Sequence, residues 1–180
     1  SWTGTIEDLA GRWRGHEGRS GGPAAFRLAG KDLEVAGLVL SASGATARVD
    51  GIARLDAGTF EARAAVAGLT VELAREFLPP GSIPPAEEFA AEASAEVAAS
   101  GPFEAPRGEV RVLAPRLAWR GLEGAAEADL AWDGGAVEIR RAGVRHGSGS
   151  IDGRGRVDVE RATLDLVGRA DALPLAAVAP

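Results

Sequence analysis

Cysteine, methionine, tyrosine, asparagine and glutamine are all absent from this chain of 180 residues, and Lys31 is the one lysine among its 20 basic residues. Without cysteine there is no disulfide, no thiol nucleophile and no thiolate metal site, although the compartment stays open. Four Trp and five Phe are the whole aromatic supply. There is no leader-type segment and no apolar run of spanning length. The formal charge of −6 comes with no basic cluster, which argues against nucleic acid as a partner. The skew toward Ala, Gly, Arg and Pro is a compositional bias, so an alanine count by itself carries little weight. The chain starts and stops inside patterned sequence and reads as a piece of a longer one, with any membrane anchor outside it.

What is present is a repeat. Trp13-Arg14-Gly15-His16-Glu17-Gly18 returns as Trp119-Arg120-Gly121-Leu122-Glu123-Gly124. Leu33-Glu34-Val35 answers to Val137-Glu138-Ile139, and Thr59-Phe60-Glu61-Ala62 to Thr163-Leu164-Asp165-Leu166, both 104 positions on. Val49-Asp50-Gly51 matches Ile151-Asp152-Gly153, and Arg54-Leu55-Asp56 matches Arg156-Val157-Asp158, at an offset of 102. Such self-similarity marks units that stack on their neighbours. The expected division is residues 1–12 as the end of a preceding unit, 13–80 as a first unit, 81–118 as a connection and 119–180 as a second unit.

The dominant period is two, that of a half-buried strand. Ala45, Ala47, Val49 and Ala53 alternate with Thr46, Arg48, Asp50 and Arg54, and 149–159 repeats the pattern. Asp-Gly inside such a run is a hairpin signal; one continuous strand with the glycine turned inward is preferred, because halves would be short. The alternation shifts phase near Gly37, as a β-bulge does, and a matching shift is expected in the second copy. Val71 to Leu78 has helical character and stops at Pro79-Pro80-Gly81, with Leu175–Val178 as its counterpart. Residues 80–85 read as a linker. Residues 86–99 fit helix by composition and strand by alternation, and strand is the choice. The fold class is therefore all-β: an elongated, curled antiparallel sheet of about a dozen short strands in meander order, with one or two short helical turns between units.

The inward rows comprise Phe26, Leu28, Leu33, Val35, Val49, Leu55, Phe60 and Val66 in the first unit and Val97 in the connection. In the second unit they comprise Leu130, Trp132, Val137, Ile139, Ile151, Val157, Leu164 and Leu166. Between them stand many Ala and Gly. Two facing sheets lie ~10 Å apart and need large side chains to fill the gap. Two readings stay open: an apolar trough for an elongated apolar guest, or a tight dry core built from small residues.

Candidate chemistry is thin. His16 and His146 have Leu122 and Ala42 at the matching positions of the other copy, lie in Gly-rich turns and lack metal-ligand spacing. Ser148 and Ser150 near His146 have no third member to make a nucleophile. Asp50, Arg54 and Asp56, with Asp152, Arg156 and Asp158, read as a solvated outer face with cross-strand ion pairs. Gly147-Ser148-Gly149 lacks the Lys-Ser/Thr and the helix of a phosphate loop. No catalytic residue, metal site or cofactor is assigned, and an enzyme is not expected.

Residues 147–159 (Gly-Ser-Gly-Ser-Ile-Asp-Gly-Arg-Gly-Arg-Val-Asp-Val), the row from Leu164 to Leu173-Pro174-Leu175, and the turn Gly101…Pro106…Val110 with Leu117 and Gly121 together resemble the TamB-like and AsmA-like envelope proteins. The resemblance runs from about Trp13 onward. It implies a repeating β-groove (a β-taco) of a parent protein anchored in the inner membrane and reaching across the periplasm. It further implies phospholipid or another acyl-chain lipid as guest, a role in outer-membrane biogenesis, and an outer-membrane barrel assembly partner. Membrane contact would come through parts of the parent outside these residues. The other function that fits is a structural spacer or protein-binding scaffold that assists assembly by strand pairing.

Overall fold

The computed structural model describes residues 1–13, 16–77, 88–158, 161 and 163–172. The described residues form one open antiparallel sheet of 13 strands and a single short helix. The strands are β1 (Trp2–Ile6), β2 (Ala10–Trp13), β3 (His16–Ser20), β4 (Ala24–Ala29), β5 (Asp32–Ala42), β6 (Ala45–Arg54) and β7 (Thr59–Thr70), followed by helix α1 (Val71–Phe77). Then come β8 (Phe89–Pro102), β9 (Arg107–Trp119), β10 (Leu122–Asp133), β11 (Ala136–His146), β12 (Gly149–Asp158) and β13 (Thr163–Asp171).

The order is a meander throughout. β1 pairs β4 while β2 pairs β3, and β3 and β4 both lie along β5. The first four strands are thus one long hairpin whose arms are each broken once, at residues 7–9 and 21–23. From β4 on, each strand pairs with the next in sequence, ending at β13. Counting the broken arms as single strands gives eleven rungs, which at ~4.8 Å per gap make a sheet roughly 50 Å long. The short turns follow their residues. Ser43-Gly44 and Arg120-Gly121 have positive φ at both positions, the geometry of two-residue type I′ hairpins.

β6 and β12 each run unbroken through their Asp-Gly, with Gly51 and Gly153 on the apolar face. The reason is local: a side chain on Gly51 would come within 2.8 Å of the Glu61 carbonyl oxygen. Glycine here permits close approach of the neighbouring strand rather than a turn. Ala36 and Gly37 bulge opposite Asp50, whose Oδ1 accepts the Gly37 N–H at 2.7 Å. Arg140 and Arg141 bulge at the matching place in β11. Further shifts fall at Ala67-Gly68 in β7 and at Ala114-Pro115 in β9, where a proline costs no ladder bond. All these bulges are on β5, β7, β9 and β11, which run in one direction. α1 starts on Thr70, whose hydroxyl accepts the Leu73 N–H at 3.3 Å. Residues 89–99, ambiguous in sequence, are strand. The linker at 80–85 and the second helical turn at 175–178 lie outside the described residues.

Two expectations are redrawn by the pairing. First, residues 1–12 are not set apart from the sheet. Trp2 pairs Leu28 as Gly108 pairs Trp132, and Gly11 pairs Gly18 as Leu117 pairs Gly124. β1 with β2 is the counterpart of β9, so the unit is β1–β7, matched by β9–β13, with β8 between them. Second, the turns at 43–44 and 147–148 and the bulges of β5 and β11 put β6 on β12 at a constant 104. Gly51 answers to Gly155, not Gly153, and Asp50 to Arg154. The sequence match at 102 is a slip by one full side-chain period, which keeps every residue on its face and so looks correct in sequence.

A candidate apolar groove

The pairing register assigns each strand residue to a face. One face carries Trp2, Ile6, Phe26, Leu28, Leu33, Val35, Leu38, Leu40, Val49, Phe60 and Val66 in the first unit. β8 adds Phe89, Val97 and its alternate alanines, and β9 adds Val110, Val112, Leu117 and Trp119. Leu130, Trp132, Val137, Ile139, Ile151, Val157, Leu164 and Leu166 continue it to the last strand. Sixteen of the seventeen residues expected on the inward rows stand here. The strand pairing does not reach Leu55, which lies in the turn after β6, 53% exposed, with its N–H bonded to the Lys31 carbonyl. The alternation reached it one residue after the strand had ended. Sequence reasoning passed over Trp2, Ile6 and Leu38 as site residues. The signal for the first two was their period-two spacing, hidden by the brevity of β1.

No Asp, Glu, Lys or Arg occupies this face on any described strand. The polar exceptions are Ser20, opposite Leu40, and His146, the last residue of β11. The His146 Nδ1 contacts the Glu123 carbonyl oxygen and Ser150 Oγ donates to Asp152 Oδ2 at 3.2 Å, so the two do not pair with each other. The His16 side chain lies outside the described part. Among the described residues no group of three or more His, Asp or Glu could hold a metal ion.

No second sheet among the described residues covers the face. Among the described residues, α1 is the only helix or strand outside the sheet, and only Ala24, Ala45, Val71, Ala95 and Ala114 are buried hydrophobics. The accessible surface is 12151 Å2, against roughly 8,200 Å2 for a compact monomer of 18.4 kDa. Of the two sequence readings, the closed dry core is not what forms. Large side chains shield one another only in part: Trp2 meets Phe26 edge-on at 5.2 Å, and Phe60 stacks on Phe103 at 5.7 Å. Among the described residues the apolar face is hollowed in each unit. The hollow of the first unit has a volume of 520 Å3, with a floor of Gly11, Gly18, Ala42, Ala45 and Ala47 and walls from Leu9, Leu40, Val66, Leu69 and Leu73 of α1. That of the second, of 380 Å3, lies among Val112, Ala114, Ala128, Val144 and Ile151. Small residues make the floors, so the alanines and glycines are where room is left.

The opposite face is a lattice of ion pairs. Arg140 reaches Glu109 at 2.9 Å, Asp129 at 3.9 Å and Glu138 at 3.9 Å. The hydrogen bond to Glu109 and these carboxylates raise its pKa above the usual arginine value. Arg141 and Arg145 share Glu127, each at 2.9 Å. Hollows exist here too, one of 680 Å3, but Glu61, Arg63, Arg107, Glu109, Glu138 and Arg140 are among the residues that line it. It is water space between long, exposed side chains, and such pairs are each worth well under ~1 kcal/mol. Of the outer-face residues named from sequence, Asp50 locks a bulge and Arg54 bonds Glu61 at 3.0 Å. Asp56 and Asp158 bond backbone N–H groups of their own turns.

Comparison with protein-family models, with curated proteins and with solved structures finds no match to this chain.

Proposed function

We propose that this chain is a segment of a β-groove that holds or conducts the acyl chains of phospholipids between the inner and outer membranes, as part of a longer periplasmic protein anchored in the inner membrane. The observation that carries the reading is the apolar face: eleven rungs without one charged side chain on the described strands, covered by no second described sheet, and hollowed where alanine and glycine form its floor. A sheet with one apolar face must cover it. An elongated apolar guest does so along its whole length, with each methylene taken out of water contributing about 0.8 kcal/mol. The charged outer face keeps such a sheet in solution while the inner one is occupied. The resemblance of residues 147–159 and their neighbours to TamB-like and AsmA-like proteins supports the same direction.

Native mass spectrometry of the purified 180-residue chain tests this. Adducts of phospholipid mass should be present, disappear on organic extraction, and return when the extracted and refolded protein meets phospholipid vesicles. A chain that carries no lipid before extraction and takes none up afterwards, while its circular dichroism remains that of a sheet, favours the spacer or scaffold instead.

A further inference from the structure

Among the described residues β13 is the last strand of the sheet, and all nine of its residues are exposed. Its counterpart 104 positions earlier, β7, is an interior strand whose far side is filled from Thr59 to Thr70 by β8. β13 keeps the shape of a strand with such a neighbour. The β7–β8 register shifts at Ala67-Gly68, where Gly68 has φ of +70°. The matching residue after β13 is Ala172, and it holds φ of +50°, a conformation that alanine disfavours. From this bend and an edge that no described strand covers, we infer that β13 is an acceptor for one further antiparallel strand of β8 chemistry. That partner is an extended segment of ten or so residues with small apolar side chains on one face and Glu or Ser on the other. The inference does not depend on what fills the groove.

The hydrogen-bond parity says which groups wait. The two-residue turn at 147–148 makes His146 and Gly149 a bonded pair, so odd residues of β12 bond β11 and even ones bond β13. Odd residues of β13 are thereby used, and the N–H and C=O groups of Leu164, Leu166, Gly168 and Ala170 face outward from the edge. In β7 the same parity presents Phe60, Ala62, Ala64 and Val66 to Gly101, Ala99, Val97 and Ala95. The other edge is less suited: β1 and β2 are interrupted at residues 7–9, with Glu7 and Asp8 in the gap, a common way to blunt an edge.

The probe is a capped synthetic peptide with the sequence of Phe89–Pro102, added to the intact chain and followed by amide exchange. Saturable binding with slowed exchange at Leu164, Leu166, Gly168 and Ala170 is expected. N-methylation of the peptide at Ala95, Val97 and Ala99 should weaken binding at least ten-fold. Methylation at Glu96, Ala98 and Ser100, which carries the same local constraint, should leave it within about two-fold. The inference is overturned if no saturable binding occurs up to millimolar peptide, or if the two methylated peptides bind alike. Protection of the β1–β2 edge alone also overturns it, as does a second copy of the chain that protects β13 and is not displaced by the peptide.

Discussion

Glycine does two jobs in this sheet, and the difference decides what a substitution costs. At Gly44 or Gly121 it supplies a positive φ in a tight turn with open space around it. At Gly51, Gly108, Gly124 and Gly155 it sits in extended backbone and is needed because a neighbouring strand comes too near for a Cβ. At Gly108 an added methyl would meet both the Ala98 carbonyl oxygen and the Trp132 ring. Gly108→Ala is therefore expected to lower stability by ~1–3 kcal/mol, the usual cost of forcing extra volume into a close contact. Thermal unfolding followed by circular dichroism reads it, and an unchanged Tm would show that the strands can part without cost. Period two alone made most faces legible, down to Gly51 and Gly153, but it passed over Trp2 and Ile6 and carried Leu55 past the end of its strand. What sequence could not tell was the role of Asp50. It stands in the outer row like Arg48 and Arg54, yet its carboxylate oxygen holds the Gly37 N–H of the next strand. Asp50→Ala should speed exchange of the Gly37 amide and destabilise by ~0.5–1.5 kcal/mol, the net worth of one hydrogen bond. Asp50→Asn, which keeps an acceptor oxygen, should do neither.

At the scale of elements, the sequence disclosed the strands, the continuous run through Asp-Gly, the bulge at Gly37 and the helix at Val71, because each has its own local signature. It did not disclose register. A slip of two residues leaves every side chain on its face, so Val49-Asp50-Gly51 and Ile151-Asp152-Gly153 align well in sequence and stand two residues apart in the sheet. Only the turns and bulges, which have no such degeneracy, fix the offset at 104. Strand breaks hid for a similar reason: Gly21-Gly22-Pro23 reads as a turn between hairpins, while in the fold it interrupts one arm of a single long hairpin. The short helix makes a separate prediction. Its own backbone N–H and the Thr70 hydroxyl hold the Glu72 carboxyl below its ordinary pKa, with Arg75 adding to the effect. A depressed folded pKa stabilises the helix at pH above the ordinary carboxylate range and loses that stabilisation as pH falls through the depressed value. Amide exchange of the first turn of α1, corrected for intrinsic rate, should thus rise on acidification. In Glu72→Gln the rise should be absent.

For the whole molecule the question is whether the apolar face acts as one surface. A sheet that merely spaces or scaffolds tolerates a charge wherever water can reach it. A guest lying across many rungs does not, because a carboxylate in its path must lose water against an acyl chain, at a cost of several kcal/mol when no partner is near. Val66 borders the hollow of the first unit, and Val157 lies further along β12, the strand whose Ile151 and Gly153 border the hollow of the second, so Val66→Asp and Val157→Asp place that charge at widely separated rungs. Each is expected to reduce binding of a fluorescent fatty acid at least ten-fold while circular dichroism and monomeric state hold. Arg48→Glu and Arg156→Glu reverse charges on the outer face of the strands at or beside the same rungs, β6 and β12, and should leave binding within about two-fold. The comparison separates the two functions, since both pairs alter charge and only one alters the proposed path. Equal effects from inner and outer substitutions would mean that the lipid reads net charge rather than the groove. No effect from either would leave the open face without a lipid and make strand pairing at the β13 edge the better account of what this sheet is for.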